Sequence, residues 1–125
     1  MDDEKRFREW GLEADKLLKP ILEKSPRGGF VYIMWVRPFG ACKIGLTQKN
    51  PARRRKAVMM GIPYEVGTMC CYGTLDVFRL EQMVHDEFDA VRLSGEWFSG
   101  KVSDFEPTIK RLRDIVNDDY LVNNP

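Results

Sequence analysis

Four consecutive cations, Arg53-Arg54-Arg55-Lys56, are the residues whose chemistry is most evident. Guanidinium groups grip two oxygens of a phosphate at once, and an ammonium adds a point charge. These four lie in a block, residues 27–67, that holds eight Lys/Arg against one Asp/Glu, a net of +7. Residues 1–26 carry a net of −1 and residues 68–125 a net of −5, so the overall +1 conceals the block. A concentrated patch of this kind neutralises several phosphates and points to a nucleic acid, the bland alternative being solvated surface charge. Upstream in the same block stand Tyr32, the best-placed hydroxyl, then Lys43, and Thr47 and Gln48, which can donate hydrogen bonds to phosphate. Downstream, Glu81 and the only histidine, His85, are neighbours at i, i+4 on one helix face.

The elements that must position these residues follow from pattern. Phe30 to Val36, FVYIMWV, is dense in β-branched and aromatic residues and reads as a strand with Tyr32, Met34 and Val36 on one face. Arg37-Pro38-Phe39-Gly40 supplies a turn, and Ala41 to Leu46 a second strand. Asn50-Pro51 is an N-cap followed by a first-turn proline, so a helix runs from Pro51 to Met60, with Val58 and Met59 inward, Arg53, Arg55 and Lys56 outward, and Gly61 and Pro63 ending it. Tyr64 to Tyr72 reads as a third strand. Thr74 caps a helix from Leu75 to Asp89 with Val77, Leu80, Val84 and Phe88 buried. Ser94 to Phe98 is a short extended segment. Ser103 and Glu106 have capping-box spacing for a last helix ending near Val116, followed by a frayed tail.

Residues 3–24 form a further amphipathic helix through Phe7, Trp10, Ala14, Leu17, Leu18 and Ile21, with Pro20 expected to kink or restart it. The expected fold is α+β: a small three-stranded, mainly antiparallel sheet flanked by helices, residues 27–125, with an N-terminal helical extension, residues 1–26. With 43% hydrophobic and 31% charged residues in 125, the chain reads as one ordinary globular domain and excludes a disordered or fibrous class. No apolar run spans a bilayer and the N-terminus is too charged for a secretory signal, so a cytoplasmic protein without a membrane role is expected. Cys42, Cys70 and Cys71 contain no CxxC pair and read as reduced thiols rather than zinc ligands.

The order and spacing of five short motifs resemble the GIY-YIG nuclease superfamily. Phe30-Val31-Tyr32 stands where that family has Gly-Ile-Tyr, and Lys43-Ile44-Gly45 where it has Tyr-Ile-Gly. Arg54 three residues after Pro51 with Gly61 and Pro63, the run from Leu80 to Phe88, and Gly95-Glu96-Trp97-Phe98 are similar to its short bacterial and phage branch. The resemblance covers Gly29 to Phe98. It implies a metal-dependent endonuclease acting on DNA, with RNA open, through one Mg²⁺ or Mn²⁺ on Glu81. It assigns catalytic roles to Tyr32, Lys43, Arg54 and Glu81, with Arg53 as the second choice for the arginine. Arg53, Arg55, Lys56 and Thr47 then contact nucleic acid, and His85 and Glu96 support the site.

Two departures matter. Lysine replaces the second signature's tyrosine, and Val58 stands where many members have a histidine. An unperturbed lysine is only roughly 0.1% neutral near pH 7.5, so a base role for Lys43 needs a strongly lowered pKa. Whether Tyr32 or Lys43 takes the proton stays open at this level. The competing reading is a non-catalytic nucleic-acid or protein-interaction module on the same fold. A homodimer through the N-terminal helix, or a targeting partner protein, are the assemblies in view.

Overall fold

A run of β-branched and aromatic residues buried on both faces belongs at the centre of a sheet, and β1 (Gly29–Val36) lies there. The computed structural model describes residues 3–36, 40–60 and 68–125, with side chains for 13–36, 40–58 and 69–125. β2 (Ala41–Thr47) pairs antiparallel with β1, setting Tyr32 opposite Gly45 and Met34 opposite Lys43. β3 (Thr68–Thr74) pairs with the other side of β1, with Cys71 opposite Tyr32. Gly40, at φ +55, turns the chain into β2 in the left-handed region that glycine tolerates.

The sheet has five antiparallel strands rather than the three expected. β4 (Arg92–Ser94) and β5 (Trp97–Ser99) form a hairpin added to β2, giving the order β3-β1-β2-β5-β4. Three residues are too few to display a strand's alternation, so the sequence shows only an extended segment.

One face of the sheet carries the main core. α3 (Val77–Glu87) and α4 (Val102–Asn123) pack there, with Leu80, Val84, Phe105 and Ile109 against Val31, Ile33 and Ile44. The other face sets Tyr32 and Met34 against Val58 of α2 (Pro51–Met60), Met69 and Cys71. α1 (Asp3–Lys24) packs on this chain's own α2, β1 and β3, burying Ala14 and Leu18. It runs unbroken through Pro20, contrary to expectation. The proline sits near the helix end and removes only one N–H donor there, and the Ser25 N–H donates to Ile21 O at 2.9 Å to close the helix.

The remaining differences lie at element ends. Asp76, not Thr74, caps α3 by accepting from the Arg79 N–H, so α3 is shorter than expected. Thr74 is used instead by the Asn117 side chain of α4, to whose Oδ1 it donates at 2.9 Å. Asp104, not Glu106, accepts from the N-terminal N–H of α4, at Lys101, and Glu106 accepts from the Tyr72 hydroxyl. α4 continues through the tail that was expected to fray, to Asn123. Asn50 does cap α2, its Oδ1 accepting from the Ala52 N–H at 2.8 Å. The Arg37–Phe39 turn, Gly61, Pro63, the first residues of the expected third strand, and the side chains of Phe7, Trp10 and Met59 lie outside the described residues. Among the described residues no helix is long and apolar enough to cross a membrane, and all three cysteines are free thiols.

Candidate active site

Tyr32 reaches its position because β1 sends it to the α1/α2 face and because Gly45 opposite has no side chain. A Cβ on Gly45 would stand 2.4 Å from Tyr32 Oη and 2.7 Å from its ring carbon Cζ. The glycine thus makes room for a buried phenol to lie across β2. One turn into α2, Arg54 donates its Nε–H to that phenol oxygen at 3.0 Å. Of the two arginines between which the sequence left the choice, Arg54 is the one that meets Tyr32. Arg53 and Lys56 are exposed, whereas Arg55, expected to point outward, is half-buried.

The opposite wall of the site comes from the edge of β2. The β2–β5 ladder ends at the Lys43–Trp97 pair. Beyond it the Ile44 N–H still donates to Glu96 O at 2.9 Å, but the Ile44 carbonyl faces α3 and takes a hydrogen bond from His85 Nε2 at 2.8 Å. A carbonyl can only accept, so Nε2 carries the proton. His85 is buried, with its ring 5.1 Å from that of Phe98. It therefore ties α3 to the sheet edge. Glu81, one turn earlier on α3, is near enough to feel the charges of Lys43, Arg54 and Glu96.

Lys43 forms an ion pair with Glu96, Nζ to Oε2 at 2.8 Å, and its ammonium lies 5.6 Å from the centre of the Trp97 ring. Trp97 is half-buried and serves as this platform, while Phe98 is buried in the core. Glu96 Oε2 also comes within 3.2 Å of the point a Gly45 Cβ would occupy. Tyr32 and Glu96 therefore border one glycine, with Arg54 hydrogen-bonded to the first and Lys43 ion-paired with the second.

The electrostatics match this crowding. Burial raises the Glu81 carboxyl above the usual range, His85 lowers it, Glu96 raises it, and Lys43 and Arg54 lower it. Its Oε2 is buried and accepts no hydrogen bond among the described residues. Burial also raises the Tyr32 phenol, against the opposing pull of Arg54. The same hydrogen bond raises Arg54.

Thr47 does not join the cluster. It is buried, and its hydroxyl accepts from the Lys49 N–H at 3.1 Å, shaping the loop before α2. Gln48 is likewise spent on the carbonyls of Pro26 and Gly28. Among the described residues no three His, Cys, Asp or Glu side chains come together in a group suited to a metal ion.

Fold and site together define an α+β domain that gathers two carboxylates, two cations and a phenol at one sheet edge beside a basic helix. The chain belongs to the T5orf172 domain family, which matches residues 29–113. That domain is phage-associated and is met in an endonuclease context. No curated protein and no solved structure matches the chain.

Proposed function

We propose that this protein is a metal-dependent endonuclease that hydrolyses DNA phosphodiester bonds at the Tyr32–Arg54–Lys43–Glu81 cluster. The observation that carries the reading is the buried Oε2 of Glu81, which has no hydrogen-bond partner among the described residues although two nearby cations act on its carboxyl. A structural carboxylate of that kind is normally hydrogen-bonded. The family's endonuclease context supports the same reading.

The reaction needs a deprotonated water, stabilised charge on phosphorus and a held backbone. Arg54 spends Nε on Tyr32, which leaves its two terminal nitrogens to straddle phosphate oxygens. Lys43 is ion-paired with Glu96 and supplies charge to the site. Tyr32 Oη borders the attacking water; burial raises its pKa more than Arg54 lowers it, so Tyr32 takes the water proton only after releasing its own to solvent. Glu81, with water and substrate oxygens, would hold a Mg²⁺ or Mn²⁺, which would supply Lewis acidity to acidify water and neutralise phosphate charge. Arg53 and Lys56, exposed on α2, contact neighbouring phosphates without reading sequence.

Relaxation of supercoiled plasmid in Mg²⁺, Mn²⁺ or EDTA tests this, with wild type beside Glu81→Ala and Arg54→Ala. Metal-dependent nicking lost in both variants is the expected result. No cleavage in any metal by folded wild type overturns it in favour of a binding module, and cleavage by Glu81→Ala removes Glu81 as the metal ligand.

A further inference from the structure

The ammonium of Lys43 is already occupied in the free protein. Glu96 Oε2 stands 2.8 Å from it, in the space bordered by Gly45 and Tyr32 where the reaction needs a phosphate oxygen. The two partners are not equally placed. The Lys43 side chain is 16% exposed and lies over Trp97, whereas that of Glu96 is 33% exposed. The main chain of Glu96 is pinned by the Ile44 N–H and follows the left-handed turn at Gly95, φ +54. Its carboxylate can therefore rotate toward water without disturbing the hairpin, while the lysine stays where it is.

We propose that Glu96 is an exchangeable counter-anion, filling the phosphate seat of Lys43 until a phosphate oxygen displaces it. This rests on the reading of Lys43 as the phosphate-holding cation. The chemistry recognised is a phosphate oxygen, whether on a nucleic acid backbone or free. Exchange of one anion for another gains little by itself, so an isolated phosphate binds poorly. A polyanion that also engages Arg53, Arg54 and Lys56 offsets the exchange. Glu96 acts through Lys43 and is a positioning residue that sets a threshold for polyanionic substrate.

The salt dependence of binding reads this directly. Each phosphate neutralised by a protein cation contributes a slope of about −0.9 in log K against log salt. Lys43 contributes almost nothing to that slope in wild type, because the expelled Glu96 takes up a cation from solution. Duplex DNA binding in EDTA is compared across salt for wild type, Glu96→Gln, Lys43→Met and the double variant. Glutamine keeps the shape of Glu96 and its backbone bond. Glu96→Gln is expected to bind about five- to tenfold more tightly at low salt, with the slope steeper by about 0.9. In the Lys43→Met background the same change is expected to do nothing beyond the small effect of one distant charge.

Unchanged or weaker binding by Glu96→Gln overturns the proposal, and so does an equal gain without Lys43. Inorganic phosphate, titrated by amide chemical shifts at Ile44 and Gly45, separates this from the nuclease reading. If none of the four proteins binds DNA but Glu96→Gln binds phosphate more tightly through Lys43, the counter-anion stands and the nucleic-acid reading falls. If neither DNA nor phosphate distinguishes Glu96→Gln while wild type nicks plasmid, the counter-anion falls and the nuclease reading stands.

Discussion

Glu81 carries a conflict between burial and charge. Its folded carboxyl titrates above the ordinary range chiefly because burial disfavours the anion. A raised folded pKa means the folded protein binds more protons than the unfolded chain between the two values. Stability therefore falls as pH rises from about 4.3 through the folded value, and the penalty is complete above it. Glu81→Gln is expected to raise Tm by a few degrees at neutral pH, to leave it unchanged near pH 3, and to abolish cleavage; a neutral-pH Tm below wild type would contradict the conflict. Gly45 makes the complementary point. A methyl there meets a buried phenol at 2.4 Å. Gly45→Ala should lower kcat about 100-fold by displacing Tyr32 from Arg54, with a stability loss of about 1–3 kcal/mol. Equal cleavage by the alanine variant in a single-turnover assay would show that Tyr32 does not need this seat.

At the level of elements, periodicity revealed whatever was long enough to show a period. β1 was legible from its density of β-branched and aromatic residues, α3 from a buried stripe over several turns, and Asn50-Pro51 marked the start of α2 by local chemistry alone. The β4–β5 hairpin was not legible, since each strand has three residues and its evidence is a ladder to β2, a contact distant in sequence. The same limit hid the pairing of Lys43 with Glu96 and the platform role of Trp97. The individual residue types were visible, but their convergence depended on where the β2–β5 ladder stops. The capping errors at Thr74 and Glu106 share one cause: both side chains are drawn into contacts between α4 and β3, which spacing along the chain cannot report. α2 permits a clean test of its own. Arg53 and Lys56 are exposed and separate from the Tyr32 contact. Arg53→Ala and Lys56→Ala should each flatten the salt slope of DNA binding by about 0.9 and weaken every DNA sequence alike. A loss confined to one DNA sequence would assign these residues to base readout instead.

Across the whole molecule, the sheet separates two environments. One face holds Tyr32 beside the basic helix, and the other is sealed by α3 and α4, whose segment carries most of the acidic residues. The acidic side has its own half-buried polar contact, in which Tyr72 of β3 donates to Glu106 of α4. That bond holds the Glu106 carboxyl below its usual range, while burial first and then Glu106 raise the Tyr72 phenol, which stays protonated throughout the acid range. A depressed folded pKa gives stability that is complete above the unfolded value of about 4.3 and is lost as pH falls through the folded one. Glu81 acts with the opposite sign in a window that begins near that pH and extends above it. The stability of wild type should therefore rise as pH is lowered from neutral toward about 4.5, as the Glu81 penalty is relieved, and then fall at lower pH as Glu106 protonates. Urea unfolding between pH 3 and pH 8 resolves the two limbs. Glu81→Gln should flatten the upper limb alone, and Glu106→Gln should reduce the fall below pH 4 alone. The two carboxylates sit in separate clusters, so the double variant should show both changes added together. An acid limb in Glu106→Gln as steep as that of wild type would mean that other carboxylates, not the α4–β3 contact, govern acid unfolding.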